Sequence, residues 1–112
     1  MNRRILSLAL LVFALSGCAS PEKPSLSSKD PNLLIPAMQE AARTHDEQAV
    51  GQLVVDLESD DPAIRFYAIR ALKEITGNTL GYRYYDEDAE RKPAVKRWKQ
   101  WLKDRESAAT KP

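Results

Sequence analysis

A chain of 112 residues can hold one small domain and no more. Its 17 Lys and Arg against 16 Asp and Glu leave a net charge of +1, which argues against the broad basic surface of a nucleic-acid-binding protein. One cysteine excludes an internal disulfide framework, and one histidine excludes a histidine-based metal or catalytic cluster.

At the N-terminus, Arg3 and Arg4 precede an oily run, residues 5–15, that is apolar or small except for Ser7; Ser16, Gly17 and Cys18 follow. Charged, oily and small-residue regions in that order predict a secretory signal peptide over residues 1–17. The eleven residues of the run would span about 16 Å as a helix, about half a bilayer core, too little to anchor the chain alone. Arg3 and Arg4 are not flanked as a twin-arginine export signal requires. Leu15-Ser16-Gly17-Cys18 resembles the lipobox of bacterial lipoproteins. The resemblance implies attachment of lipid, palmitate included, to the Cys18 sulfur, and cleavage between Gly17 and Cys18. Small residues at 16 and 17 let the backbone enter a peptidase site, and a thiolate is the nucleophile suited to alkylation. An ordinary secreted protein with a free cysteine is the alternative. Among lipoproteins with two membranes to choose from, Asp after the cysteine favours the inner one. Ala19 stands there instead, so the expected place is the cell envelope, at the outer membrane facing the periplasm.

Without residues 1–17 the basic count falls to 15 while the acidic count stays at 16, so the remainder is close to neutral. With Cys18 lipidated the fold must rest on packing alone, in a domain small enough for that to be marginal. Residues 18–29 hold two prolines and four serines without apolar periodicity, and are expected as the lipidated cysteine and a flexible tether with a reach of roughly 20 Å.

A helical domain is expected over residues 30–106. Asp30 and Pro31 form a cap and first-turn pair. Leu34, Ala37, Met38 and Ala41 follow at helical spacing, and Pro36 belongs in the first turn or marks the start itself. Asp46 caps a second helix in which Val50, Leu53, Val54 and Leu57 form an apolar stripe at i, i+3, i+4 and i+7; Gly51 weakens it by about 1 kcal/mol relative to Ala. Asp61 and Pro62 open a third helix that Gly77 stops near Thr76. Ile64, Ala68, Ala71, Leu72 and Ile75 share its inner side, while Phe66 and Lys73 point away. A tyrosine-rich loop, residues 77–88, leads to a final helix from about Ala89 to Arg105, with Pro93 near its start. Val95, Trp98 and Leu102 share one face of that helix, Trp101 sits about 60° from Trp98, and Lys92, Lys96, Lys99 and Lys103 line another side. Residues 107–112 are expected as a disordered tail. No segment alternates like a strand, so the expected class is all-α, about four helices.

The stretch holding Leu53 and Leu57, then Asp61 and Pro62, then Ile64, Arg65, Ala68, Ala71, Leu72 and Ile75 resembles a HEAT repeat, over about 25 to 30 residues. The helix before it could be a half-repeat, and the tyrosine loop with its two-tryptophan helix is similar to the tails of HEAT-like proteins from bacterial envelopes. Repeat proteins usually need three or more units to bury a continuous core. The single unit therefore implies that the flanking helices act as caps, or that a partner or second copy completes the stack. The resemblance implies a binding scaffold with no enzymatic activity and no cofactor. A minority of HEAT-like proteins are lyases acting on pigments, and no residues here match such a site.

Charge is unevenly placed. From Asp30 to Asp61 eight acids face one base, Arg43; from Arg65 to Lys111 twelve bases face seven acids. The expected resolution is internal, acidic helices beside basic ones, with Arg65 reaching Asp60 or Asp61; the alternative directs the lysine side to anionic lipid or an acidic partner. His45 lacks the companions of a metal or catalytic site. Asp86, Glu87 and Asp88 lack calcium-loop spacing and are expected to cap the final helix. Trp98 is expected in the core. Trp101, Lys96, Lys99, Lys103 and Phe66 are the partner-binding candidates, Trp101 because interfaces favour tryptophan. The function expected is a lipid-anchored, non-enzymatic protein-interaction module of the envelope, with an envelope protein as partner, no nucleic acid, and self-association possible. Alternatives are a peripheral module whose basic Trp helix touches the membrane, and an enzyme of unknown reaction.

Overall fold

The computed structural model describes residues 22–111. The expected signal peptide, Cys18 and the first part of the tether lie outside the described residues. Within them every regular element is helical. Helix α1 (Pro31–Thr44) is followed by a single 3-10 turn (Glu47–Ala49) that runs directly into α2 (Val50–Asp56); α3 (Pro62–Thr76) and α4 (Asp88–Thr110) complete the chain.

Local chemistry sets most boundaries. A carboxylate oxygen of Asp30 accepts from the Asn32 N–H at 2.9 Å, one of Asp46 from Gln48 at 3.0 Å, and one of Asp61 from Ala63 at 2.8 Å. Each satisfies an amide that the helix itself cannot. Gly77, at φ 80°, ends α3 in the left-handed region. His45 ends α1 in the same region, at φ 52°, where a non-glycine residue costs about 1–2 kcal/mol. Offsetting that cost, the His45 and Asp46 amides donate to Ala42 and Ala41 at 3.3 and 2.9 Å. The single histidine thus terminates a helix.

Three expectations need correction. Pro36 is not in the first turn of α1 but inside the helix; Pro93 lies near the start of α4, as expected, and is likewise interior. Each forgoes one backbone bond, to the carbonyl of Asn32 or Ala89, and those two residues are exposed to water. No side chain caps α4. Asp86 instead pairs with Arg83 at 3.0 Å, and Asp88 with Lys92 at 3.1 Å and Arg91 at 3.5 Å, while Glu87 occupies the cap position without a cap bond. Asp88 and Glu90 still place negative charge in the first turn, where the helix dipole favours it. Finally, α4 continues to Thr110, so residues 107–110 are helical rather than a disordered tail. Glu106, Ala108 and Ala109 are strong helix formers, and nothing in the sequence breaks the helix before Lys111.

The core is a single cluster. Trp98, Met38, Leu53, Leu57, Leu72 and Val54 are its largest fully buried side chains. The α2 stripe Val50, Leu53, Val54 and Leu57 is buried throughout, as are Ile64, Ala68, Ala71, Leu72 and Ile75 of α3. Helix α3 packs against both α1 and α2, and the small side chains of Ala68 and Ala71 permit the close approach. Helices α1 and α3 run the same way. Leu34 and Ile64 border one groove at their starting ends, while Ala42 and Arg43 border another with Arg70 and Glu74 further along. Helix α4 lies on α2 and buries only Ala94, Val95 and Trp98.

The described part of the expected tether is fastened to the domain. The Ser25 amide donates to the Leu33 carbonyl at 3.1 Å, and half-buried Leu26 packs against the core. Hydroxyls of Ser25 and Ser28 accept from the amides of Ser27 at 3.1 Å and Asp30 at 3.0 Å.

Candidate interaction surface

The loop between α3 and α4 is held by side chains that donate to backbone carbonyls. Arg65, 9% exposed, gives Nη1–H to Ser59 O at 2.8 Å and Nε–H to Tyr84 O at 3.0 Å. It was expected to reach Asp60 or Asp61. Two inward-facing carbonyls claim it instead, while Asp61 caps its own helix. Tyr82 donates its phenol to Leu57 O at 2.6 Å, Trp98 its indole N–H to Thr79 O at 2.9 Å, and Arg97 its Nε–H to Leu80 O at 2.7 Å. Burial pushes the Tyr82 phenol up to about 12. Between these clamps, Leu80 and Gly81 turn the chain at φ 52° and 79°, with the Tyr82 amide returning to Thr79 O at 3.0 Å. Positive φ at both central residues is the pattern of a type I′ turn.

With the loop held in this way, a surface groove of about 610 Å³ opens beside α2 and the first half of α4. Exposed Ala89 and Pro93 supply its apolar surface, over buried Leu57 and Val95; Glu58, Asp88, Arg91, Lys92, Lys96 and Lys99 form its rim. Lys99 pairs with Glu58 at 2.7 Å, and Lys92 with Asp88. Lys96 makes no ion pair among the described residues, so the groove carries an uncompensated ammonium beside an apolar surface. Toward the other end of α4, Arg105 pairs with Glu47. The acidic first half of the domain therefore meets the basic second half at Glu58 and Glu47. These pairs are about half exposed and contribute at most about 1 kcal/mol each.

The five candidate residues do not form one patch. Lys96 and Lys99 share the groove. Trp101 is half-buried, edge-on to Trp98 with ring centroids 5.5 Å apart, and the Arg105 guanidinium lies 5.0 Å from its ring centre. Lys103 is exposed and does not line the groove. Phe66 belongs to a chain of aromatic rings, edge-on to Tyr67 at 5.0 Å and to Tyr84 at 5.1 Å, which in turn meets exposed Tyr85 at 5.2 Å. Leu57 and Val95 read as core positions and are buried; the groove above them and its Glu58 rim were not legible in the sequence, because they arise only where α4 meets α2. Cys18 lies outside the described residues.

No group of three or more His, Cys, Asp or Glu among the described residues is placed to hold a metal ion. No described helix is long and apolar enough to cross a membrane. Neither a protein-family model, nor a curated protein, nor a solved structure matches the chain.

Proposed function

We propose that this chain is a lipid-anchored, non-enzymatic protein-interaction module of the bacterial envelope, held by Cys18 and carrying one HEAT-like helix pair, α2 and α3. The groove over Leu57 and Val95 is the observation that carries the interaction reading. A groove whose apolar surface is exposed Ala89 and Pro93, rimmed by charge and with Lys96 lacking an ion pair, suits an acidic, partly apolar segment of another protein. Support also comes from the polar side chains of Arg65, Tyr82, Trp98 and Arg97, all of which bind the protein's own carbonyls and so serve to hold a shape. Leu15-Ser16-Gly17-Cys18 after an oily run supports the anchor.

Two measurements test this reading. Palmitate labelling should be lost in Cys18→Ala, with the precursor left uncleaved; normal labelling of that variant would refute the anchor. A photo-crosslinker at position 96 should capture a protein that the same probe at exposed Arg70 does not, and Lys99→Glu should weaken the capture. Equal capture from both positions would refute the groove.

A further inference from the structure

The fastened segment has a direction. Lys23, Pro24 and Leu26 share a groove that runs along α1 from Pro36 and Ala37 to Thr44 and Asp46. Ser27, Ser28 and Lys29 share another with Pro31, Asp56 and Ile64, at the starting end of the helix. Residues 23–29 therefore run antiparallel to α1, as a strap that Ser25 ties to Leu33 O, with Lys23 on the side toward the finishing end of the helix. Glu47, next to Asp46, pairs with Arg105, and Arg105 covers the ring of Trp101. The strap thus leads back toward the end of the molecule that the last turns of α4 occupy. Helix α4 then continues, exposed, to Thr110.

Cys18 is six residues from Pro24. Such a length spans about 20 Å fully extended and roughly 12–15 Å as a flexible chain. A lipid on Cys18 would hold this end of the domain at the bilayer surface. Lys92, on the groove rim, lies thirteen residues before Arg105, about 20 Å further along the helix. This end carries half-buried Trp101 beside exposed Lys103, Arg105 and Lys111, a tryptophan among cations, as membrane-interface segments do. It also carries Asp104 and Glu106, so net charge alone would attract it only weakly.

We propose that the end of the domain formed by residues 44–47 and the last turns of α4 rests on a phospholipid surface, Trp101 at headgroup level. The strap sets this orientation by leaving few residues between Cys18 and the domain, and turns the Lys96 groove toward the aqueous side. This rests on the lipidation of Cys18. Contact is driven by the high local concentration that the short tether imposes, so it should resist moderate salt.

The test uses the lipidated protein in phosphatidylethanolamine–phosphatidylglycerol vesicles containing lipid brominated near the headgroup end of its tails. The lipid-bound bromine should quench the fluorescence of the wild type and leave Trp101→Phe, which retains Trp98, largely unquenched. An insert of about 20 Gly and Ser residues between Ser20 and Pro21 leaves the folded part untouched and should lower the local concentration about ninefold, with a matching loss of quenching. Leu26→Ser, which frees the strap, should act in the same direction. Lipidated protein without Trp101 quenching would overturn the proposal, as would quenching indifferent to the insert. Crosslinking of position 105 to a protein rather than to lipid would overturn it too. If mass spectrometry finds no lipid on Cys18, the anchor reading itself fails, a distinct result.

Discussion

The Tyr82 phenol donates to the backbone carbonyl of Leu57 at 2.6 Å, across 25 residues of chain. The bond ties the loop before α4 to the last turn of α2. It satisfies a carbonyl that α2, ending there, leaves without a helical partner.

Tyr82→Phe should therefore cost about 1–3 kcal/mol, because the Leu57 carbonyl is left buried without a donor. The raised phenol also gives a pH signature. The folded value, about 12, exceeds the ordinary 10.0, so the stabilisation is full below pH 10 and is lost as pH rises toward 12. Denaturant midpoints measured from pH 9 to pH 12 should fall more steeply for wild type than for Tyr82→Phe. Parallel curves would show that the phenol is not held in this way.

Asp56 predicts the opposite end of the pH scale. One of its carboxylate oxygens is buried without a hydrogen-bond partner. Burial raises its titration point above the ordinary 3.8, and a hydrogen bond from Gln52 only partly opposes that. The folded state therefore keeps this proton after the unfolded chain has lost it. Its contribution to stability declines as pH rises through that window. Asp56→Asn should raise the melting temperature at pH 7 and remove the decline. A lower melting temperature at pH 7 would show that the ionised carboxylate has a partner.

The two tryptophans should separate by mutation. Trp98 is fully buried and hydrogen-bonded, so Trp98→Ala should cost about 3–5 kcal/mol, enough to unfold so small a domain. Trp101 is half-buried at the edge of the core, and Trp101→Ala should cost clearly less. Circular dichroism melts distinguish the two; the reverse ranking would mean that α4 is rotated. Leu72→Ala, at a fully buried site, should cost about 2–5 kcal/mol, and an unchanged melt would contradict the packing of α3.

Gly81→Ala should damage the turn for two reasons. Its φ of 79° is strained for any L side chain, and a Cβ would sit 2.8 Å from Nη2 of Arg97. A loss of about 1–2 kcal/mol is expected from the backbone alone. Arg97→Ala combined with Gly81→Ala should remove the collision, leave the backbone cost and add the loss of the Arg97 bond to Leu80 O. If Gly81→Ala melts like wild type, the turn is not as described.

Sequence alone determined the helices and most of their faces. Asp30, Asp46, Asp61 and Gly77 act within a few residues of themselves, and the spacing of Val50, Leu53, Val54 and Leu57 is a local property of one helix, so both are legible in the linear order. Tertiary structure alone decided where charge and polarity meet. Arg65 passed over Asp60 and Asp61 because packing brings two inward-facing carbonyls to it, one of them 19 residues away. Glu58 and Glu47 found Lys99 and Arg105 only because α4 crosses α2. The Lys96 groove exists only once that crossing is made. Residues 23–29, whose composition signals a free tether, lie along α1 because Leu26 finds an apolar surface there. That surface is assembled by helices, and no local pattern in those seven residues encodes it.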